Sequence, residues 1–182
     1  HIVLLDNDQQ KLKTYGEISR ELARRLDPDL TFEVTSDARA ALTGVDYIIT
    51  TIRAGGDAGR LFDEQTCLAH GVLGQETTGA GGFAMAIRSV PTLVYYCTLA
   101  RAVANPGHLI FNFTNPSGII TQALRSKGFD NVYGICDAPS GFIKQLEEIL
   151  EIPYGTLDIE CYGLNHLSWF RNAKVNGRDV QR

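Results

Sequence analysis

Two side chains thirty residues apart, Cys136 and His166, are the pair in this sequence best suited to holding a transition metal. Thiolate and neutral imidazole are both transition-metal ligands, and carboxylates or a substrate can fill the remaining positions. Each follows a β-rich apolar run. Tyr133-Gly134-Ile135 leads into Cys136-Asp137-Ala138-Pro139, and Leu157–Tyr162 leads toward Asn165-His166. A parallel strand delivers side chains in this way to the carboxyl rim of an α/β sheet, where such folds bind their ligands. The bland alternative for Cys136 is a small buried hydrophobe.

Other residues gather at similar places. Asp6 ends the apolar run Ile2–Leu5, where a dinucleotide fold puts the acid that holds ribose hydroxyls; as a plain alternative it caps the next helix. The Gly-rich turn that should precede such an acid by about twenty residues is absent. It would lie before residue 1, so a first strand is expected upstream and the chain reads as part of something longer. Gly71–Gly82 holds five glycines around Gln75, Glu76, Thr77 and Thr78 without hydrophobic periodicity. It reads as a ligand-lining loop, because glycine allows close backbone approach. Asn115 follows the strand-like run Leu109–Phe113, at the same rim.

The elements that must position these groups alternate. Apolar runs at Ile2–Leu5, Val45–Thr51, Leu109–Phe113 and Tyr133–Cys136, and the alternating stretch Thr31–Thr35, read as parallel strands, and helical patterns lie between them. Leu12, Tyr15, Ile18, Leu22 and Leu26 mark the buried face of the first helix. Ser36 is expected to cap a short second helix over Asp37–Leu42, and a long, mostly buried helix is expected over Phe83–Ala104, with Pro91 as a kink. From Leu157 the pattern turns to strands without crossovers, and Asn176-Gly177 signals a hairpin. The fold class is α/β, a Rossmann-like parallel sheet with the start of a mixed α+β domain. The domains are 1–153 and 154–182.

Composition excludes more than it assigns. The chain has 182 residues, 44% hydrophobic content and a net charge of −4 with no basic cluster, which argues against nucleic acid or an anionic membrane as partner. No run reads as a signal peptide or bilayer span. The four cysteines are widely spaced and read as reduced thiols in the cytoplasm; Cys67, Cys97 and Cys161 are expected to be packing residues, as are the tyrosines.

Taken in order, Leu5-Asp6, Thr50–Gly56, Gly74–Gly79, Asn112–Gly118, Gly134–Asp137 and Gly163–His166 resemble the family-four glycoside hydrolases, which use NAD and a divalent metal. The resemblance implies a lactate/malate dehydrogenase-like fold and oxidation followed by elimination, instead of the usual two-carboxylate scheme. Hydride leaves C3 of the sugar for NAD, a divalent cation such as manganese polarises the C2 and C3 oxygens, and the C2 proton is lost. The glycosidic oxygen then departs, water adds at C1, and the ketone is reduced. It further implies Cys136 and His166 as metal ligands, and Arg53, Asn115 and Asn165 as substrate contacts. Asp6, Thr51, Glu76 and Asn112 would face NAD, and Asp137 would be the candidate general acid. Glu76 lies near both nicotinamide and sugar. The base for the C2 proton would be a tyrosine beyond residue 182. The partners implied are a phosphorylated disaccharide or glucoside and further copies of the chain, as a homo-oligomer (dimer or tetramer).

The motifs Asn112–Gly118 and Gly74–Thr78 look most like the 6-phospho-β-glucosidases, whereas Asp137 after Cys136 is typical of the 6-phospho-α-glucosidases. The reading taken is β, with α as the alternative. A lactate/malate-type dehydrogenase and a non-catalytic nucleotide-binding module share the fold and also stay open.

Overall fold

The apolar runs form strands as expected, and their pairing is parallel. The computed structural model describes residues 1–164 and 167–180. β1 (Ile2–Leu5) pairs in parallel with β2 (Phe32–Thr35). β3 (Tyr47–Thr50), β4 (Leu109–Asn112) and β5 (Val132–Gly134) form a second group in that order, with β3 and β4 parallel. The doubly wound dinucleotide fold orders its strands 3-2-1-4-5-6. The two groups supply 3-2 and 4-5-6. Among the described residues no strand pairs with the free edges of β1 and β3, where the central strand belongs.

Helices α1 (Gln9–Leu26), α2 (Ala38–Leu42), α3 (Gly56–Ala69), α4 (Gly79–Val103) and α5 (Ser117–Ser126) connect these strands. Aspartates start the first two. Asp8 Oδ1 accepts from the N–H groups of Gln10 and Lys11 at 2.9 and 3.1 Å, and Asp37 Oδ1 accepts from Arg39 and Ala40 at 2.8 and 3.1 Å. Such a cap is worth about 1 kcal/mol. The cap of α2 is therefore Asp37, one residue beyond the Ser36 expected. Asp37 wins because its carboxylate reaches two orphan N–H groups at once.

The core gathers around α4, against which α2, α3 and α5 pack. Leu93, Cys97, Ile110, Ile120, Leu124 and Val132 are almost wholly buried there. Each buried Leu, Ile or Val contributes about 1.5–3 kcal/mol. Burial also pushes the Cys97 thiol up to about 11, so it stays protonated and acts as packing.

Several expectations change at this level. In α1 the buried face is Leu12, Gly16 and Ala23, while Tyr15, Ile18, Leu22 and Leu26 are exposed. Small residues let the helix lie close to the sheet, and a Cβ on Gly16 would come within 2.9 Å of Val34 Cγ2. α4 begins at Gly79, four residues earlier than its apolar pattern suggests, so Gly79–Gly82 are helical. It is also long and apolar enough to cross a membrane. In this fold it is the core helix, with Leu93, Cys97 and Ala100 spent on protein packing. Cys161 is exposed, as are Tyr15, Tyr47, Tyr95, Tyr133, Tyr154 and Tyr162; of the tyrosines only Tyr96 packs on the core. α3 occupies a stretch to which the sequence pattern assigned nothing.

Contacts divide the chain into two compact units, His1–Tyr133 and Gly134–Arg182. The second holds α6 (Ala138–Ile149) and an antiparallel sheet of β6 (Leu157–Leu164), β7 (Leu167–Val175) and β8 (Arg178–Asp179). Buried Glu147 fixes the approach to β6, accepting from the N–H groups of Thr156 and Leu157 at 2.9 and 3.0 Å. Phe142 packs on Phe170 with centroids 4.6 Å apart. The hairpin expected at Asn176-Gly177 joins β7 to β8, with φ of 50° and 77° at those residues.

Candidate functional site

The strands β3 and β4 end side by side, and their exits are tied together. Ile52 N–H donates to Thr114 Oγ1 at 2.9 Å, and Phe113 N–H donates to the Thr50 carbonyl at 2.9 Å. Asn112, wholly buried, braces the turn that follows. Its Oδ1 accepts from Thr50 Oγ1 at 3.0 Å and from Thr114 N–H at 3.2 Å, and its Nδ2 reaches Thr121 Oγ1 at 3.2 Å and the carbonyls of Thr114 and Ser117. Both lone-pair sites and both donors of the amide are thus used internally. The Asn112 side chain, expected to face NAD, is engaged in holding the turn.

Beyond this brace lies a cleft of about 250 Å³, lined by Thr51, Ile52, Arg53, Glu76, Met85, Phe113, Thr114 and Asn115. Four of the expected site residues, Thr51, Arg53, Glu76 and Asn115, meet here. The loop 74–78 carries Glu76 in, stiffened by hydrogen bonds of Gln75 to Thr77 and Thr78. The glycines after it serve contact: a Cβ on Gly81 would overlap the Gln75 carbonyl, and one on Gly82 would come within 2.9 Å of Thr77 C.

Charge in the cleft is arranged around Glu76. Its side chain is 14% exposed, with Oε1 at 3.4 Å from Arg53 Nη2 and 3.8 Å from Arg60 Nη1. Its other oxygen, Oε2, is buried without a hydrogen-bond partner. A carboxylate oxygen left so is costly, by about 1–3 kcal/mol or more, and it marks where a ligand donor fits. Arg53 also meets Asp57 at 3.1 Å, but Asp57 is almost fully exposed and the contact is weak. The Asn115 amide has no protein partner among the described residues. Arg60, which the sequence pattern did not single out, is pushed above its ordinary value by its hydrogen bond to Glu64 and then by the charge of Glu76.

Asp6 stands at the end of β1, half-buried. Its Oδ1 accepts from Asp8 N–H at 2.9 Å, while Asp8 caps the helix. The capping alternative for Asp6 therefore falls away, and among the described residues no hydrogen bond engages its second carboxylate oxygen. In the second unit, Cys136 is half-buried just before α6, and exposed Asp137 begins that helix without spending its carboxylate on a cap. Asn165 and His166 lie outside the described residues. Among the described residues no group of three or more His, Cys, Asp or Glu could hold a metal ion.

A parallel strand order of this kind, with polar groups converging at the carboxyl rim, defines a Rossmann-like dinucleotide-fold domain. The fold is shared with the malate dehydrogenase of Naegleria fowleri, at a TM-score of 0.65 and 14% identity over 96% of this chain and 50% of that one. Within that class the chain belongs to the family 4 glycosyl hydrolases, whose sequence profile matches residues 1–152. It is 36% identical over 181 residues to the 6-phospho-beta-glucosidase BglT of Thermotoga maritima, covering 98% of this chain and 42% of that protein. A 6-phospho-alpha-glucosidase from gut microorganisms, solved with NAD and Mn2+, matches at a TM-score of 0.87 and 34% identity, over 98% of this chain and 41% of that one. The chain spans about two fifths of the length of the curated relatives it matches.

Proposed function

We propose that this chain carries the cofactor-binding part of a cytoplasmic 6-phospho-glucosidase that uses NAD and a divalent cation, manganese by preference, with the 6-phospho-β-glucoside as its substrate. The observation that carries the reading is the rim cleft, where Arg53, Glu76 and the unpartnered Asn115 amide converge and Glu76 Oε2 waits for a donor. The likeness to a 6-phospho-beta-glucosidase and a 6-phospho-alpha-glucosidase supports the sugar phosphate. The β assignment rests on the motifs at Gly74–Thr78 and Asn112–Gly118. A phosphorylated sugar does not cross membranes freely, which suits an enzyme of the cytoplasm. Residues 1–153 form the NAD-binding domain and 154–182 begin the substrate and metal domain; the whole assembles as a homo-oligomer.

Bound NAD would supply the hydride acceptor and a bound cation Lewis-acid polarisation of the sugar oxygens. The residues named here do the rest. Asp6 accepts from the adenosine ribose hydroxyls, and Thr51 and Glu76 face the nicotinamide end. Arg53 takes the sugar phosphate as a bidentate fork, a task suited to a guanidinium, and gives up its weak contact with Asp57 to do so. Asn115 and Asn165 orient the hydroxyls. Cys136 and His166 would hold the cation, through sulfur and imidazole nitrogen, both of which are transition-metal ligands. Asp137, uncommitted to capping, can protonate the leaving oxygen.

The test is to supply the complete enzyme with NAD, manganese and a chromogenic 6-phospho-β-glucoside or its α isomer. Aglycone is expected from the β substrate at more than about tenfold the rate of the α, without NADH accumulation, a ratio of 1.4 kcal/mol or more in transition-state binding. Preference for the α isomer would move the assignment to the alternative, and NADH build-up with a hydroxy acid would make the protein a dehydrogenase.

A further inference from the structure

We propose that Arg88 and Asp63 are a positioning pair that sets how Arg53 enters the rim cleft; the inference rests on the reading of Arg53 as the sugar-phosphate ligand. Asp63 on α3 is only 7% exposed. The Arg88 guanidinium, from α4, meets it along one edge: Nη1 donates to Oδ1 at 2.9 Å and Nη2 donates to Oδ2. Nε donates to the Ala54 carbonyl at 3.3 Å, one residue from Arg53, and Nη2 also reaches Met85 Sδ at 3.7 Å. Gly55, at φ 84°, and Gly59 lie against the same plate. A Cβ on Gly55 would come within 3.0 Å of Nε, and one on Gly59 within 3.4 Å of Nη2.

The turn from β3 into α3 is therefore moulded on a planar cation. The pair is half-buried, with the Asp63 side chain 7% and the Arg88 side chain 31% exposed, and desolvation of the carboxylate offsets part of the attraction. Direction is what the pair supplies. It fixes the backbone at Ala54 relative to α4, and α4 also gives Met85 to the cleft wall. Lysine could not do the same, since a point charge cannot serve a carboxylate and a carbonyl in one plane. Displacement by about 1 Å can cost a positioned reaction about a hundredfold, so a pair outside the cleft can govern Arg53 within it.

The experiment measures binding of glucose 6-phosphate and, separately, of NAD to the complete enzyme carrying Arg88→Lys, Asp63→Asn, Arg53→Ala, or Arg88→Lys with Arg53→Ala. Arg88→Lys is expected to weaken glucose 6-phosphate about tenfold, within what misplacement produces, and to leave NAD within about twofold. In the Arg53→Ala background it should add nothing further. Asp63→Asn, whose amide oxygen still accepts from Arg88, should show a smaller loss of the same kind. If Arg53→Ala binds glucose 6-phosphate as the parent does, the reading of Arg53 itself fails. If Arg53→Ala weakens binding but Arg88→Lys does not, or if the two losses add, the positioning role is overturned. Loss of the folded state in both Arg88→Lys and Asp63→Asn would also overturn it, since the pair would then serve the fold alone.

Discussion

In the complete enzyme, Cys136→Ser and His166→Ala are each expected to lower manganese-dependent turnover by about a thousandfold or more, because Lewis-acid stabilisation is worth several kcal/mol. NAD affinity and the melting temperature should barely move. Cys136 is half-buried and outside the cluster that makes the core around α4, and serine keeps its size. A soft thiolate among hard oxygens is an unusual manganese set, so activity should also fall on oxidation and return with a reductant. Two protein ligands leave most of the shell to water and the sugar, so metal affinity should rise with substrate. Near-normal activity of either variant at low manganese would remove the pair from the metal site. Unfolding of Cys136→Ser would make Cys136 a packing residue.

Glu76→Gln is the second large effect. The carboxylate sits between Arg53 and Arg60 with Oε2 buried and unpartnered, so the unliganded protein gains little from it. Replacement should leave the melting temperature within about 2 °C, the scale of about 1 kcal/mol. Turnover should fall about ten- to a hundredfold, the worth of one hydrogen bond to a charged group. A melting temperature lower by many degrees with turnover unchanged would make Glu76 structural.

Much of this was legible from residue order, and the failures have physical causes. Short runs rich in β-branched and aromatic residues mark the parallel strands, as at Ile2–Leu5 and Tyr47–Thr50. Asp6 could not be separated from a helix cap by pattern; only the bonds of Asp8 to Gln10 and Lys11 decide it. The apolar pattern picks out another face of α1 because Gly16, which lies against Val34 of β2, and buried Ala23 carry almost no hydrophobic signal. α3 went unread since Leu61, Phe62 and Leu68 are exposed and mark no buried stripe. With it went Arg60 and Asp63. Asn112 matched a motif of ligand contacts, yet five hydrogen bonds turn it inward. Spacing can bring a polar side chain to a rim; whether it faces a ligand depends on what its neighbours already satisfy.

The proposed hydrolysis would pass through oxidation at C3 and loss of the C2 proton. It is tested most directly by running the complete enzyme with NAD, manganese and a 6-phospho-glucoside in D2O, then reading C2 of the glucose 6-phosphate by NMR. Deuterium is expected at C2, with no net NADH formed. Full retention of hydrogen at C2 during rapid aglycone release would contradict the proposed route.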